Sequence, residues 1–392
     1  IIDRISCMDK VFLKRTSRIL GGHLWIFSNE LLTSPKKFEP GSLVEVYDKE
    51  KKFLGIGYIN PHSLISIRLL TREKENIDSD FFRSRIVAAL NYRKRFLLSD
   101  NAFRVVYSEG DFLPGLIIDK YGDCAVVQFL TFGMEKFTET ILSLIDDILS
   151  PKTIVLRNDS QSRTLEALPL GKKVVKGSLE TLPLINEKDL IFEVDPMSGQ
   201  KTGFFLDQRE NRLALRKHIK EGRGLDLFCY AGAWGMHLAK NGAYVTGVDD
   251  SEKALAYAKI NARLNNLEDR FGFERGNVFD FLKKEVTSGN DYDFIVLDPP
   301  AFVKSRTKVK EALKGYKEIN TMAMRILKDG GILSTSSCSY HVDKEVFLEM
   351  LRNAAKDAKK NIRLLEYRSQ SRDHPVLLSM PETEYLKCAF LA

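Results

Sequence analysis

The chain has no uninterrupted apolar run of the roughly 18 residues that a membrane-crossing helix needs, so no transmembrane segment is expected. It has few cysteines. The five, at positions 7, 124, 229, 338 and 388, are scattered and odd in number, and none forms a C-x-x-C pair. That excludes a disulfide framework and argues against a zinc site, so no metal is expected and a reducing, cytoplasmic setting is. The first residues, IIDRISCMDK, carry acids and no apolar core, unlike a secretory signal. The chain opens on Ile1 rather than an initiator methionine, so its start is read as trimmed or misassigned. Repeats and low-complexity tracts are missing too. So is the dinucleotide fingerprint G-x-G-x-x-G, which weighs against a pyrophosphate-containing cofactor.

What is present is an ordinary globular composition over 392 residues, 44% hydrophobic and 29% charged, long enough for two or three domains. The net charge of +7 is unevenly spread. Residues 1–100 hold 18 Lys and Arg against 12 Asp and Glu, a net of +6, and leave +1 for the rest. A basic N-terminal module suits a polyanion; a basic surface that aids solubility is the other reading.

Three regions are expected: a β-rich unit at 1–72, an α+β unit at 73–190 and an α/β unit at 191–392. In the first, apolar or alternating runs at Ser42–Tyr47, Phe53–Ile59 and Leu64–Leu70 are punctuated by Gly41, Gly55, Gly57 and Asn60-Pro61. In the second, helical spacing over 78–98 precedes strands at Phe103–Ser108, Leu116–Asp119 and Cys124–Leu130, a helix over 134–149 and strands at Thr153–Arg157 and Leu190–Val194. From Asp207 strands alternate with helices: strands Gly224–Phe228, Tyr244–Asp249, Asp293–Leu297 and Gly331–Thr335, with helices over 207–220, 233–241, 251–265 and 308–328. That order predicts a parallel sheet with right-handed crossovers, whose ligands bind beyond the carboxyl ends of the strands. Asp226, Asp249, Asp298 and Cys338 all fall at or near such ends.

The segment LDLFCYAGAWG at 225–235 joins a strand to a helix. Small residues such as Gly232 allow close backbone approach, and the helix start offers unpaired N–H groups; Phe228 and Tyr230 lie in the same loop. Asp249, 23 positions beyond Asp226, is placed to accept both hydroxyls of a ribose. A nucleoside cofactor without a pyrophosphate fits, and S-adenosylmethionine is such a cofactor, its ammonium favouring an acid near Asp226. Helix capping is the alternative for both acids. Asn277 could meet an adenine edge or form a turn.

Cys338 stands within STSSCSYH, flanked by Ser336, Ser337 and Ser339. Carbon 5 of a pyrimidine is too weak a nucleophile to take a methyl group until a thiolate adds at carbon 6 and makes an enamine. Cys338 is the candidate thiolate, and Asp298 the partner for the ring nitrogen and amino edge. Pro299 and Pro300 stiffen the chain after the strand. Methylation of a base amino group instead uses an Asp/Asn-Pro-Pro-aromatic tetrad; here Ala301 holds the fourth place and Phe302 follows it. Cys229 reads as packing, and Cys7, Cys124 and Cys388 as structural.

With these residues assembled, the chain resembles the bacterial and archaeal large-subunit ribosomal RNA cytosine-C-5 methyltransferases built from a PUA domain, a central α+β domain and a Rossmann-like methyltransferase domain. The matching stretches are GHLWIFS at 22–28, DFLPGLIID at 111–119, KTGFFLDQR at 201–209, the cofactor loop, DPPAF at 298–302, SCS at 337–339 and DHP at 373–375. The resemblance implies S-adenosylmethionine as cofactor, 23S ribosomal RNA as substrate and Cys338 as nucleophile. It also implies that Phe205 and Gln208 lie near the cofactor and Arg209 near the target base. From the residues alone, those three could simply open a helix that packs on the sheet. Lys14, Arg15 and Arg18 are candidates for RNA phosphates. The family often has Asp where this chain has Asn277, and no cysteine follows Pro300 as in the two-cysteine RNA enzymes. A guanine methyltransferase on the same fold and a non-enzymatic RNA-binding assembly factor are the other readings. Expected partners are ribosomal RNA and, at most, a second copy of the chain; no membrane is expected.

Overall fold

A computed structural model describes residues 8–97, 100–302 and 309–392. Cys7 and the first residue of the helix expected at 308–328 lie outside them. Two compact units emerge: 1–183 with 194–204 and 373–383, and 184–193 with 205–372 and 384–392.

The first unit holds two sheets. Strands β1 (Asp9–Phe12), β2 (Trp25–Ile26), β3 (Ser42–Tyr47), β4 (Phe53–Ile59) and β5 (Ile67–Thr71) form a sheet ordered β1-β3-β4-β5-β2, with the short helix α1 (Ser17–Leu20) between β1 and β2. Helix α2 (Ser79–Lys94) follows, its N-terminus capped by Asp78, whose carboxylate accepts the N–H groups of Asp80 and Phe81. Then come β6 (Ala102–Tyr107), β7 (Leu116–Tyr121), β8 (Cys124–Phe129), helices α3 (Phe132–Glu135) and α4 (Thr138–Leu149), β9 (Thr153–Asn158) and β10 (Gly171–Lys176). The helix expected over 134–149 is thus two. The sheets share contacts: Tyr58 donates its hydroxyl to the Pro114 carbonyl at 2.8 Å, and Arg68 pairs with buried Glu166 at 2.8 Å.

The second unit begins with a hairpin, β11 (Leu184–Glu187) and β12 (Leu190–Glu193). After α5 (Arg209–His218) come β13 (Arg223–Leu227), α6 (Ala233–Lys240), β14 (Tyr244–Asp249), α7 (Glu252–Leu264), β15 (Phe271–Arg275), α8 (Val278–Ser288), β16 (Tyr292–Leu297), α9 (Val309–Arg325), β17 (Leu327–Ser337), α10 (Lys344–Ala358), β18 (Leu364–Arg368) and β19 (Lys387–Leu391). The sheet order is β15-β14-β13-β16-β17-β19-β18. The first five strands are parallel, as expected, and β19 runs antiparallel between β17 and β18. Apolar runs such as Phe294–Leu297 are buried, as parallel strands covered on both faces must be. The reversal of order between β13 and β16 makes a switch point, where the carboxyl ends open a crevice.

A buried ionic cluster fastens the hairpin to the sheet's helices. Arg212 on α5 donates to both oxygens of Glu187, at 2.7 and 2.5 Å, and to the Phe205 carbonyl at 3.0 Å. His237 on α6 lies 2.8 Å from the same carboxylate. Burial alone would raise the Glu187 carboxyl, but Arg212 and His237 hold it well below the usual range.

Candidate active site

The crevice is built from the ends of four parallel strands. Asp226 is the penultimate residue of β13, Asp249 ends β14, Asp298 follows β16 and Cys338 follows β17. Asp226 is fully buried. Its Oδ2 accepts the Gly235 N–H at 2.8 Å, and its Oδ1 has no hydrogen-bond partner among the described residues. Burial, reinforced by Asp298 and Asp249, pushes its carboxyl up to about 7. A buried acceptor left open beside the start of α6 fits a ligand that brings a donor or positive charge.

The loop from β13 to α6 is bent by three residues in the left-handed region, Phe228 (φ 64°), Tyr230 (φ 47°) and Gly232 (φ 76°). Two carry side chains, so the bend costs strain that its anchors must offset. Phe228 N–H donates to the Val248 carbonyl at 2.9 Å, and Tyr230 N–H to Asp249 Oδ2 at 3.0 Å. The other Asp249 oxygen accepts from Ser251 N–H at 2.9 Å. Burial raises the Asp249 carboxyl. The smallness of Gly232 and Gly235 also serves packing: a Cβ at either would come within 2.8 or 2.6 Å of the Phe271 ring.

Asp298 is held from two sides. Gln208 donates its amide N–H to Oδ1 at 2.9 Å and Trp234 its indole N–H to Oδ2 at 3.0 Å. Gln208 in turn accepts from Asn211 at 2.7 Å. Gln208 and Arg209 are both buried, at the junction of a short 3-10 turn and α5. The Phe205 ring meets Tyr230 edge-on, 5.3 Å between centroids. Asn277 caps α8, its side-chain oxygen accepting from Phe279 and Asp280 N–H groups at 2.9 and 3.4 Å, so its turn-forming role is realised.

Cys338 is half-buried, whereas Cys124, Cys229 and Cys388 are buried. Burial pushes the thiols of Cys124 and Cys388 up to about 12 and that of Cys229 well above its ordinary value. Next to Cys338, Ser339 shares a 2.9 Å hydrogen bond with the Tyr316 hydroxyl. Tyr316 also lies 3.5 Å from the Pro300 carbonyl and from Phe302 N–H, tying the two strand ends together. Pro299 is buried and Pro300 exposed. Phe302 packs its ring 4.5 Å from Tyr316 and within 6.4 Å of Phe228 and Phe279.

In the first unit Lys14 and Arg15 are exposed. Arg18 is not a free surface cation. It sits 4.8 Å over the Phe27 ring, within 2.7 Å of His23 and 3.9 Å from Glu30 and Glu382. Arg15, Arg18, Phe27 and Leu64 line a cavity of about 420 Å³. Other motif residues are architectural: Asp111 pairs with buried Arg93, Asp119 with Arg104, and Asp373 accepts the Arg104 N–H at 2.9 Å.

Sequence reasoning missed Trp234, Tyr316 and Lys387. Trp234 lay within the loop already singled out. Tyr316 sits on the apolar face of α9, where nothing in the sequence marks it. Lys387, a lone charge in the apolar run Tyr385–Leu391, carried a signal: a lysine within a buried strand.

A PUA-like domain model matches residues 10–72 and a methyltransferase domain model residues 219–377. A Methanocaldococcus jannaschii relative is 39% identical over 380 residues, covering 96% of each chain. The ribosomal RNA large subunit methyltransferase I of Shewanella denitrificans is 37% identical, covering 93% of this chain and 94% of its own. That of Pseudoalteromonas translucida is 38% identical with the same coverage. The chain belongs to the ribosomal RNA large subunit methyltransferase family. Among solved structures, a Streptococcus mutans protein covers 98% of this family member and 100% of its own chain at 22% identity and a TM-score of 0.84. Another, solved with S-adenosylhomocysteine, has the same coverage and identity with a TM-score of 0.86. The fold of this family member is a PUA-like domain followed by a Rossmann-like methyltransferase domain. Among the described residues no helix is long and apolar enough to cross a membrane, and no group of three His, Cys, Asp or Glu could hold a metal ion.

Proposed function

We propose that this chain is the cytoplasmic enzyme that methylates carbon 5 of a cytosine in 23S ribosomal RNA, with Cys338 as nucleophile. The cofactor is S-adenosylmethionine, which supplies an electrophilic methyl group on a sulfonium. The open acceptor of Asp226 would face its ammonium, Asp249 its ribose hydroxyls, and Phe205, Phe228, Tyr230, Gly232 and Asn277 the rest of the nucleoside. Each Asp249 oxygen already accepts one backbone N–H and keeps a second lone pair for a hydroxyl.

The observation that carries the reading is the half-exposed Cys338 at the strand end beside Asp298, when the other described cysteines are buried. The thiolate adds to carbon 6 and breaks the ring's 5,6 double bond. Asp298, oriented by Gln208 and Trp234, accepts from the pyrimidine edge, and Pro299, Pro300 and Phe302 shape its surroundings. Carbon 5 takes the methyl group as the sulfonium's S–CH3 bond breaks with its electron pair left on sulfur. A base removes the carbon-5 proton, and the C–H electron pair re-forms the double bond as the thiolate leaves. Arg209 would act near the target base. Residues 1–72 would grip RNA through Lys14 and Arg15, 73–190 form the central module, and 191–392 the catalytic one.

RNA carrying 5-fluorocytosine at the target should trap a covalent adduct, because fluorine cannot leave as the carbon-5 proton does. Cys338→Ala should fold, bind S-adenosylhomocysteine and form none. Full methylation by Cys338→Ala would move the target to guanine, where no nucleophile is needed.

A further inference from the structure

Lys387 opens β19 and pairs across the antiparallel ladder with Ser337, the residue before Cys338. Its side chain is buried, 5% exposed, and its ammonium donates to the Ser339 carbonyl at 2.7 Å and the Tyr385 carbonyl at 2.8 Å. The backbone of Lys387 thus pairs with the residue before Cys338, and its ammonium reaches the carbonyl of the residue after it. Burying an ammonium on two neutral carbonyls is costly, and a nearby anion would offset that cost.

We infer that the Lys387 ammonium is the charge partner of Cys338, stabilising its thiolate and setting the pH range in which the sulfur reacts. Lys387 is thus a positioning residue; its part in turnover rests on Cys338 being the nucleophile. Burial pushes Lys387 down to about 8, and the Cys338 thiolate is the first group opposing this, ahead of Glu384 and Asp343. Near neutral pH the lysine therefore keeps its proton. Tyr316 on α9, on which Cys338 acts, and Asp298, which acts on the adjoining Cys388, are acids, and Arg368 on β18 acts on Cys388 in the opposite sense to Asp298. Lys387 is a cation hydrogen-bonded to the carbonyl of the residue next to Cys338, so it favours the thiolate.

The test is the rate at which iodoacetamide alkylates Cys338 in the full chain, read by mass spectrometry of its peptide across pH. The sulfur–carbon bond forms as iodide leaves, and only the thiolate attacks. Lys387→Met and Lys387→Gln should each react about tenfold more slowly near neutral pH, with the inflection moved up by about one unit. Buried Cys124, Cys229 and Cys388 report unfolding in the same digest. Lys387→Gln keeps an N–H donor for the carbonyls without the charge, so it reads the effect even where Lys387→Met fails to fold. A wild-type profile in Lys387→Gln would overturn the inference and leave Lys387 a hydrogen-bonding strut. A wild-type protein that forms no adduct with fluorocytosine RNA would defeat the nucleophile reading without altering the alkylation profile, so the two failures are distinct.

Discussion

Asp249 accepts the backbone N–H of Tyr230 at 3.0 Å, so the acid that ends the second strand of the sheet fixes the loop that leaves the first. The bond holds a residue with φ 47°, outside the comfortable range for a side-chain-bearing residue. The acid proposed to bind ribose thus also shapes the loop proposed to receive the nucleoside.

Those two roles separate in a cycle. Asp249→Ala should weaken S-adenosylhomocysteine binding by roughly 1–3 kcal/mol in titration calorimetry. An analogue lacking both ribose hydroxyls should bind wild type more weakly than the natural ligand, yet bind the variant about as well as the natural ligand does. Equal penalties for the two ligands would leave Asp249 only its loop role.

Asp226 makes stability depend on pH. Its folded carboxyl lies at about 7, above the ordinary 3.8. The folded state therefore binds the proton more tightly than the unfolded chain. The stabilisation is complete below about pH 4 and is lost as pH rises through about 7, by a few kcal/mol at most. Thermal unfolding should show wild type losing stability across that window relative to Asp226→Asn, which cannot titrate. Parallel curves would contradict the assignment.

Glu187 lies in a buried cluster with Arg212 and His237. Glu187→Gln keeps the shape but leaves the guanidinium without a counter-charge. It should cost about 3–5 kcal/mol in urea unfolding. A loss under about 1 kcal/mol would mean that water reaches the cluster.

RNA affinity should fall with salt, with a log–log slope of roughly −0.7 per phosphate contact on single strands. Lys14→Ala with Arg15→Ala should flatten the slope by about two such contacts, read in filter-binding titrations. Arg18→Ala should flatten it less and lower the melting temperature more, because Arg18 is engaged with Phe27 and His23. A change in slope for Arg18→Ala equal to half that of the double variant would place Arg18 on the RNA as well.

Much of the methyltransferase unit was legible from the chain. The strand at Tyr244–Asp249 was read to the residue, because its apolar run is bounded by a glycine turn and a capping serine. The acids at strand ends could be read for the same reason: parallel strands are apolar until they meet solvent at their tips. Asn277 was read as an adenine contact or a turn former, and its side-chain oxygen caps α8 by accepting from Phe279 and Asp280.

What the sequence by itself determined is therefore local: period, caps, turns, and the residue types that stand at the ends of strands. Tertiary structure decided what long-range pairing alone can set. The antiparallel return of β19 brings Lys387 from 49 positions away to the flank of Cys338. The helix after the loop turns Trp234 onto Asp298, and the hairpin's Glu187 finds Arg212 and His237. Such charges and donors carry no periodic signal. Their partners are chosen by which buried groups would otherwise lose water without replacement, and that is known only once the chain has folded.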